Sequence, residues 1–118
     1  MKVLLVDDSN TMRRIARTQL AALGITDIVE AENGQDAIEK LKANMPIDLV
    51  TMDINMPVMD GMTALKEIRK DATFADVKIV MLTSESEKKT VLDALQAGAN
   101  NYIVKPFTPD ALKQKLGL

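Results

Sequence analysis

Short apolar segments alternate along the chain with longer segments whose apolar residues recur at helical spacing. The apolar segments have the length of strands, and the central one, residues 47–53, is typical of a strand that is buried on both faces. Strands that alternate with helices favour a parallel sheet covered by helices on both sides, with right-handed crossovers. We therefore predict an α/β fold, a doubly wound five-stranded parallel sheet. Right-handed crossovers leave a few strand orders for such a sheet, of which we expect 2-1-3-4-5. The predicted strands are residues 2–6, 25–31, 47–53, 77–82 and 102–104.

The helical segments contain residues that usually begin and end helices. Gly24 and Gly98 are expected to end the first and fourth helices, and Thr108-Pro109-Asp110 is typical of a helix start. The apolar stripe of each helix should face the sheet. The residues expected in these stripes, helix by helix, are Met12, Ile15, Ala16, Leu20 and Leu23; Ala37, Ile38 and Leu41; Ala64, Leu65 and Ile68; Val91, Leu92 and Leu95; and Leu112 and Leu116.

The composition is that of one globular domain, which we assign to residues 1–118 and expect to be a monomer. Lys and Arg number 15 against 17 Asp and Glu, so no excess of positive charge predicts binding to nucleic acid. No apolar run approaches the roughly 20 residues of a membrane-spanning helix, and the apolar start is too short for a signal peptide. We therefore expect a cytoplasmic protein without nucleic-acid or membrane partners.

Polar side chains follow four of the predicted strands. Asp7 and Asp8 follow the first strand, Asp53 ends the third, Thr83 follows the fourth and Lys105 follows the fifth. An aspartate after a strand is more often a turn or cap residue, and a lone threonine or lysine at a strand end indicates almost nothing. However, parallel strands bring their carboxyl ends to one edge of the sheet, and ligands of such sheets bind there. The joint pattern therefore predicts one functional site that contains all of these side chains.

Three aspartates in one site would repel each other, and at least one would take up a proton unless a cation lay between them. The chain has no histidine and no cysteine, and oxygen ligands alone favour a hard divalent cation such as Mg2+. Lys105 could then bind phosphate oxygens as a point charge, and the Thr83 hydroxyl could donate a hydrogen bond to one. The residues therefore indicate either metal-dependent phosphoryl transfer onto an aspartate or the binding of a phosphorylated ligand.

These strand ends, together with Met56-Pro57 and Asp60-Gly61, resemble the receiver domain of two-component response regulators over the whole chain. The resemblance implies a flavodoxin-like (βα)5 fold in which Asp53 is the phosphoacceptor. It also implies a Mg2+ site, two residues that bind the phosphoryl group, a switch and two residues that modulate loss of the phosphoryl group. The implied Mg2+ ligands are the carboxylates of Asp8 and Asp53, the backbone carbonyl of Asn55 and, through water, Asp7; the phosphate partners are Lys105 and Thr83; the switch residues are Thr83 and Tyr102; and the modulating residues are Asn55 and Glu85.

Residues 11–15 and 105–108 are similar to the stand-alone chemotaxis regulators of that family, although Ile54 stands where enteric members have tryptophan. This similarity implies a CheA-like histidine kinase as phosphoryl donor, and the flagellar motor switch protein or a phosphatase as a further partner. It also implies a cis bond between Lys105 and Pro106. The phosphorylated form would bind its partner through the fourth helix, fifth strand and fifth helix, with the contacts Glu87, Lys88, Val91 and Tyr102.

Other functions fit the residues less well. A phosphatase with a carboxylate nucleophile would need a second acid two residues beyond Asp53, where this chain has Asn55. A flavin-binding protein would need a loop rich in serine and threonine after the first strand, and Asp7 and Asp8 would repel the phosphate there. Within the receiver family, the alternative to a motor regulator is a phosphorelay intermediate. We do not expect an enzyme in the usual sense, only a phosphoacceptor with weak autophosphorylation from small donors and autodephosphorylation.

Overall fold

A strand followed by a helix is repeated five times along the chain in the computed structural model, which describes residues 1–83, 88–105 and 108–117. The strands are β1 (Lys2–Val6), β2 (Asp27–Ala31), β3 (Leu49–Asp53), β4 (Lys78–Thr83) and β5 (Asn101–Val104). The helices are α1 (Asn10–Ala22), α2 (Gly34–Ala43), α3 (Gly61–Lys70), α4 (Lys88–Gln96) and α5 (Pro109–Leu116), with a short 3-10 helix at Ala72–Phe74.

The strands form one parallel sheet in the order β2-β1-β3-β4-β5, which confirms the predicted fold and strand order. β3 is buried at every residue, whereas the two edge strands, β2 and β5, each have a single fully buried residue. The strands are in register, with Leu5 opposite Thr51 and Thr51 opposite Val80. Their carboxyl ends therefore lie along one side of the sheet, the carboxyl edge, and their starts lie along the other, the amino edge.

Helices begin at the carboxyl edge on short polar side chains. Ser9 caps α1, Asn33 caps α2, Asp60 caps α3 and Thr108 caps α5, and each side chain accepts a hydrogen bond from a backbone N–H of the first helical turn. Such a cap contributes about 1 kcal/mol to stability. The caps therefore hold the loops that follow the strands in fixed positions, which matters for any side chain placed in those loops.

Buried side chains cover both faces of the sheet. On one face, a cluster that includes Leu4 and Met52 packs beneath α2, α3 and α4. On the other face, a second cluster that includes Val3 and Leu49 packs beneath α1 and α5, where Leu112 is 2% exposed. Successive residues of a strand point to opposite faces, so β1 and β3 contribute to both clusters.

The predicted sheet-facing stripes are confirmed for α2, α3 and α5 but are partly wrong for α1 and α4. Ile15 is 43% exposed, and Leu92 and Leu95 are 54% and 40% exposed. In α1 the predicted residues Ala16 and Leu20 are buried, whereas α4 buries Ala94, which the prediction did not include. A helix turns by about 100° per residue, so Ile15 beside Ala16, and Leu95 beside Ala94, point sideways or away from the sheet.

Two strands start two residues later than predicted, while β4 starts one residue later and β5 one residue earlier. β2 begins at Asp27 and β3 at Leu49, not at residues 25 and 47. Ile25 and Ile47 are nevertheless 5% and 3% exposed. Their apolar character therefore reflects packing in the core rather than membership of a strand.

A bilayer-spanning helix is not found in the described part of the chain. α1, the longest helix described there, has 13 residues, whereas about 20 are needed to cross the hydrocarbon core.

Candidate functional site

Three carboxylates meet at the carboxyl edge of the sheet. Asp7 directly follows β1, Asp8 comes next, and Asp53 is the last residue of β3. One carboxylate oxygen from each residue lies within 4.8 Å of the others. Asp7 and Asp53 are only 3% and 9% exposed, whereas Asp8 is exposed. The acids thus form a cluster that is buried on one side and open to solvent on the other.

Lys105 joins two of these carboxylates. It directly follows β5, and its Nζ lies 2.9 Å from Oδ2 of Asp7 and 3.1 Å from Oδ2 of Asp53. Because neighbouring strands are about 4.8 Å apart, the long side chain must pass over the end of β4 to reach β3 and β1. Only 14% of that side chain is exposed, so these ion pairs are shielded from bulk water.

Burial and neighbouring charges change the proton affinities in this cluster. Burial raises the pKa of Asp53 and the charge of Asp7 adds to the rise, although Lys105 and a backbone hydrogen bond at Asn55 oppose it. For Lys105, burial acts to lower the pKa, but hydrogen bonds and attraction from Asp7 and Asp53 outweigh it and raise the pKa. Lys105 is therefore firmly charged, and its single positive charge does not balance three acids.

Gly61 lets α3 approach the backbone of Asp53. A Cβ at this position would lie 2.0 Å from the Asp53 carbonyl oxygen and 3.0 Å from the Cα of Ile54. The Gly61 N–H also donates a hydrogen bond to the Ile54 carbonyl at 2.8 Å. The start of α3 thus supports the backbone that carries the Asp53 carboxylate. The Asp60-Gly61 pair is visible in the sequence, but this contact is not.

Thr83 and Asn55 lie beside the acids at the same edge. Thr83 is the last residue of β4 and is 3% exposed, and its backbone carbonyl accepts a hydrogen bond from the Lys105 N–H at 2.6 Å. Asn55 is exposed in the loop that follows β3. Asp7, Asp8, Asp53, Thr83 and Lys105, the side chains predicted to share one site, therefore all lie at one edge, as parallel strands require.

The residues predicted for the switch and the partner face are only partly described. Tyr102 and Val91 are half-buried, on β5 and α4. The ring of Tyr102 lies below Lys115 of α5, whose Nζ is 4.7 Å from the ring centroid, a cation–π distance. The remaining predictions, which lie outside the described residues, concern Glu85, Glu87, the side chain of Lys88 and the Lys105–Pro106 bond.

The acid cluster has the donor chemistry of a Mg2+ site. Its candidate ligands are carboxylate oxygens, and the chain has no histidine or cysteine to favour another metal. Both carboxylate oxygens of Asp7 already accept hydrogen bonds, Oδ1 from the Ser9 N–H at 3.0 Å and Oδ2 from Lys105 at 2.9 Å. Asp53 likewise accepts hydrogen bonds, from Lys105 at 3.1 Å and from the backbone at Asn55. The exposed carboxylate of Asp8 is therefore the most accessible of the three to a cation. The donor set as a whole fits a hard divalent cation.

Arg13 also contacts the site, although no pattern in the sequence marks it as a site residue. Its guanidinium donates hydrogen bonds to the backbone carbonyl of Asp7 and to the side chain of Asn10. Its Nε pairs with Oε1 of Glu30 on β2 at 3.1 Å. The contact between Arg13 and Glu30 exists because β2 lies beside β1 in the sheet, so it depends on strand order and not on residues that are close in the sequence.

Comparison with known proteins places the chain in one family. The family model for the response regulator receiver domain matches residues 3–117. Chemotaxis protein CheY1 of Helicobacter pylori is 52% identical over 116 residues, which are 98% of this chain and 94% of that protein.

Solved structures agree with this relationship. The chemotaxis protein CheY4 of Vibrio cholerae has a TM-score of 0.90 at 33% identity, with 98% of this chain and 95% of that chain covered. A chain of the CheX–CheY–BeF3–Mg2+ complex of Borrelia burgdorferi has a TM-score of 0.91 at 33% identity, with 98% of this chain and 86% of that chain covered. The site geometry, the matched residues and these relatives lead to one conclusion: the chain belongs to the response regulator receiver domain family, in its CheY-type chemotaxis branch.

Proposed function

We propose that this receiver domain accepts a phosphoryl group on Asp53 from a CheA-like histidine kinase, with Mg2+ as cofactor. The observation that supports the proposal most directly is the meeting of Asp7, Asp8, Asp53 and Lys105 at one edge of the sheet. An acid cluster that carries excess negative charge favours a divalent cation, and Lys105 beside the buried Asp53 favours an anion on that residue.

Asp53 supplies the nucleophile in this reaction. One carboxylate oxygen attacks the phosphorus of a phosphohistidine, the phosphorus–nitrogen bond breaks, and the histidine nitrogen takes up a proton from water. The phosphohistidine must belong to the kinase, because this chain contains no histidine. The product is an acyl phosphate, which water later removes. Asn55 and Glu85 are proposed to modulate that loss.

Lys105 and Thr83 are proposed to bind the phosphoryl group. Lys105 would place its charge on the phosphoryl oxygens, and the Thr83 hydroxyl would donate a hydrogen bond to one of them. Asp8, Asp53 and the Asn55 backbone carbonyl would hold Mg2+, with Asp7 bound through water. When bound, Mg2+ supplies positive charge that offsets the charge developing on the phosphoryl oxygens.

The phosphoryl group is proposed to change the surface formed by α4, β5 and α5. It adds about two negative charges beside Thr83 and Lys105. A movement of Thr83 toward these charges would leave space for the half-buried Tyr102 ring to change rotamer. Glu87, Lys88, Val91 and Tyr102 would then form the contact surface. A shift of the two conformations from 1:99 to 99:1 requires about 5.5 kcal/mol of differential stabilisation.

The partners that suit this surface are a flagellar motor switch protein and a phosphatase. The chemotaxis relatives support this choice over a phosphorelay intermediate. CheY of Borrelia burgdorferi was crystallised in a complex with CheX, BeF3 and Mg2+, which is in keeping with the Mg2+ site and a protein partner proposed for this chain. We further propose that the protein acts as a cytoplasmic monomer of one domain, without binding nucleic acid or membranes.

Phosphorylation of Asp53 can be tested with acetyl phosphate and Mg2+, read by intact mass. The wild-type protein should gain the mass of one phosphoryl group, and the gain should require Mg2+. Asp53→Asn should gain none, whereas Asp93→Asn, which removes an exposed aspartate on α4, should behave as the wild type. An equal gain by Asp53→Asn, or no gain by the wild type, would overturn the proposal.

A further inference from the structure

Arg13 is the one arginine of α1 that reaches the backbone of the acid cluster in the described structure. Its side chain is only 11% exposed, although it lies one turn from the start of a surface helix. The guanidinium donates to the Asp7 carbonyl, to Oδ1 of Asn10 and, at 3.1 Å, to Oε1 of Glu30. These acceptors belong to the loop after β1, the start of α1 and the end of β2. One planar group thus fixes three segments relative to each other.

The Asp7 carbonyl is part of the peptide unit that leads into Asp8. A peptide unit is planar, so fixing the direction of its carbonyl also fixes the direction of the Asp8 N–H and the position of its Cα. The Asp7 N–H is held separately by the Ala31 carbonyl at 3.1 Å. The Asp8 side chain, by contrast, is exposed. Its placement over the cluster therefore depends on the peptide unit that Arg13 holds.

Glu30 holds Arg13 in place and offsets part of its charge. It pairs with Arg13 and also with Arg17, whose Nη2 lies 2.9 Å from Oε2 of Glu30. Because of this carboxylate, Arg13 opposes the approach of a cation less than an isolated guanidinium would. Arg17 would keep Glu30 paired if Arg13 were replaced.

We infer that Arg13 is a positioning residue for the metal site: by holding the Asp7 carbonyl it orients the Asp7–Asp8 peptide unit, and so places the Asp8 carboxylate for Mg2+. The inference rests on the proposed function, because it requires that the acid cluster binds Mg2+. Outer groups that orient metal ligands typically change metal affinity by about 10- to 100-fold when they are removed. Arg13 acts through a backbone carbonyl in this arrangement and does not touch the metal or the phosphoryl group.

The test compares two neighbouring arginines by titrating Mg2+ alone into the protein, with calorimetry and NMR and without any phosphodonor. Arg13→Met keeps the aliphatic stem but removes the hydrogen bonds, and Arg14→Met removes the same charge from an exposed neighbour. Loss of a positive charge alone would tighten Mg2+ binding slightly. Arg13→Met is nevertheless expected to bind Mg2+ about tenfold more weakly than the wild type, with changed amide shifts at Asp8 and Ser9 before any Mg2+ is added. Arg14→Met should bind at least as tightly as the wild type.

A third variant separates positioning from charge and from misfolding. Arg13→Lys keeps the charge but cannot donate to all three acceptors at once, so it should also bind Mg2+ more weakly than the wild type. If Arg13→Met does not fold, Arg13→Lys decides the question. Variants of Arg13 that bind Mg2+ as tightly as the wild type would overturn the inference while leaving the proposed function intact. A wild-type protein that binds no Mg2+ would instead overturn the metal site itself.

Discussion

Basic side chains join several segments at each edge of the sheet, but Lys105 and Arg69 have different kinds of partner. At the carboxyl edge, Lys105 binds the carboxylates of Asp7 and Asp53. At the amino edge, the partners of Arg69 among the described residues are uncharged oxygens, at distances of 2.8 to 3.0 Å. These oxygens are the backbone carbonyls of Phe74, Val77 and Gly98 and the side-chain carbonyl of Asn100.

The difference shows what each edge is suited for. Arg69 donates to carbonyls that precede β4 and β5 and so connects these segments to α3, and it forms no ion pair with a carboxylate in the part of the chain described. Burial lowers the pKa of Arg69, yet an arginine remains charged at any ordinary pH. The contacts of Arg69 at the amino edge therefore have a structural role: they hold α3 against the segments that precede β4 and β5. At the carboxyl edge, the single charge of Lys105 does not balance the negative charge of the three acids. This excess of negative charge does not stabilise the fold, but it does favour the binding of a cation.

Gly61→Ala should have the largest effect and should change both stability and function. The added Cβ would lie 2.0 Å from the Asp53 carbonyl oxygen, which is backbone and cannot rotate away. We expect the free energy of unfolding to fall by about 3 kcal/mol and Mg2+ affinity to fall with it, because the Asp53 backbone must move. Urea unfolding and Mg2+ titration measure the two effects. Gln35→Ala, at an exposed position of α2, is the control. If both variants had the same free energy of unfolding and the same Mg2+ affinity, the proposed role of Gly61 in supporting the Asp53 backbone would be wrong.

Arg69→Met should reduce stability without changing the site. Removing the guanidinium breaks four hydrogen bonds, although the oxygens of Phe74 and Asn100 keep a second donor, and we expect the free energy of unfolding to fall by about 2 kcal/mol. Mg2+ affinity should stay at the wild-type value, since Arg69 lies at the opposite edge. Lys70→Met removes the same charge from a side chain that is 72% exposed and should have little effect on urea unfolding. A loss of Mg2+ affinity in Arg69→Met would break the proposed division between the two edges.

Asp53→Asn should stabilise the protein in a pH-dependent way. Burial raises the folded-state pKa of Asp53 above the ordinary value of 3.8 that it has in the unfolded chain. At a pH between these two pKa values, Asp53 is protonated more often in the folded protein than in the unfolded chain. The contribution of this proton to the free energy of unfolding is fully present below pH 3.8 and is lost as the pH rises through the folded-state pKa. An asparagine avoids that loss, so the free energy of unfolding of Asp53→Asn should be higher than that of the wild type at neutral pH.

The increase in the free energy of unfolding that Asp53→Asn causes should vanish below pH 3.8, where Asp53 is protonated in both the folded and the unfolded protein. Urea unfolding across this pH range measures it, with Asp93→Asn as the exposed control. A gain that persists unchanged in acid would mean that burial of the charged carboxylate is not its cause.

Thr51→Val should give the smallest effect. The Thr51 hydroxyl is buried in β3, two residues before Asp53, and it has no hydrogen-bond partner among the residues described. Replacing it by a methyl group of similar size removes an unsatisfied polar atom, and we expect thermal or urea unfolding to show a gain of about 0.5 to 1 kcal/mol. Thr18→Val is the control, because the exposed Thr18 hydroxyl donates to the Arg14 carbonyl at 2.9 Å. Loss of stability in Thr51→Val would show that the hydroxyl has a partner within the fold.

Local patterns in the sequence were sufficient for the strands and for most of the site, and the crossover rule left only a few strand orders open. Apolar runs of strand length mark the strands, and the polar residues that follow them must meet because parallel strands end at one edge. Asp7, Asp53, Thr83 and Lys105 could therefore be placed together without a structure. The helix start at Thr108 and Pro109 was equally readable, because a cap depends on residues within one turn.

Contacts between distant segments could not be read in this way. The apolar pattern placed Ile15, Leu92 and Leu95 against the sheet, but α1 buries Ala16 and Leu20, and α4 buries Ala94. The contact of Gly61 with Asp53, and that of Arg13 with Glu30, appear only when the segments are packed together. Periodicity reports that a helix has an apolar side, whereas the distance at which it packs depends on the volumes of all the side chains between two elements. The chain therefore encodes the chemistry of its site locally, and the precise placement of that chemistry arises from packing.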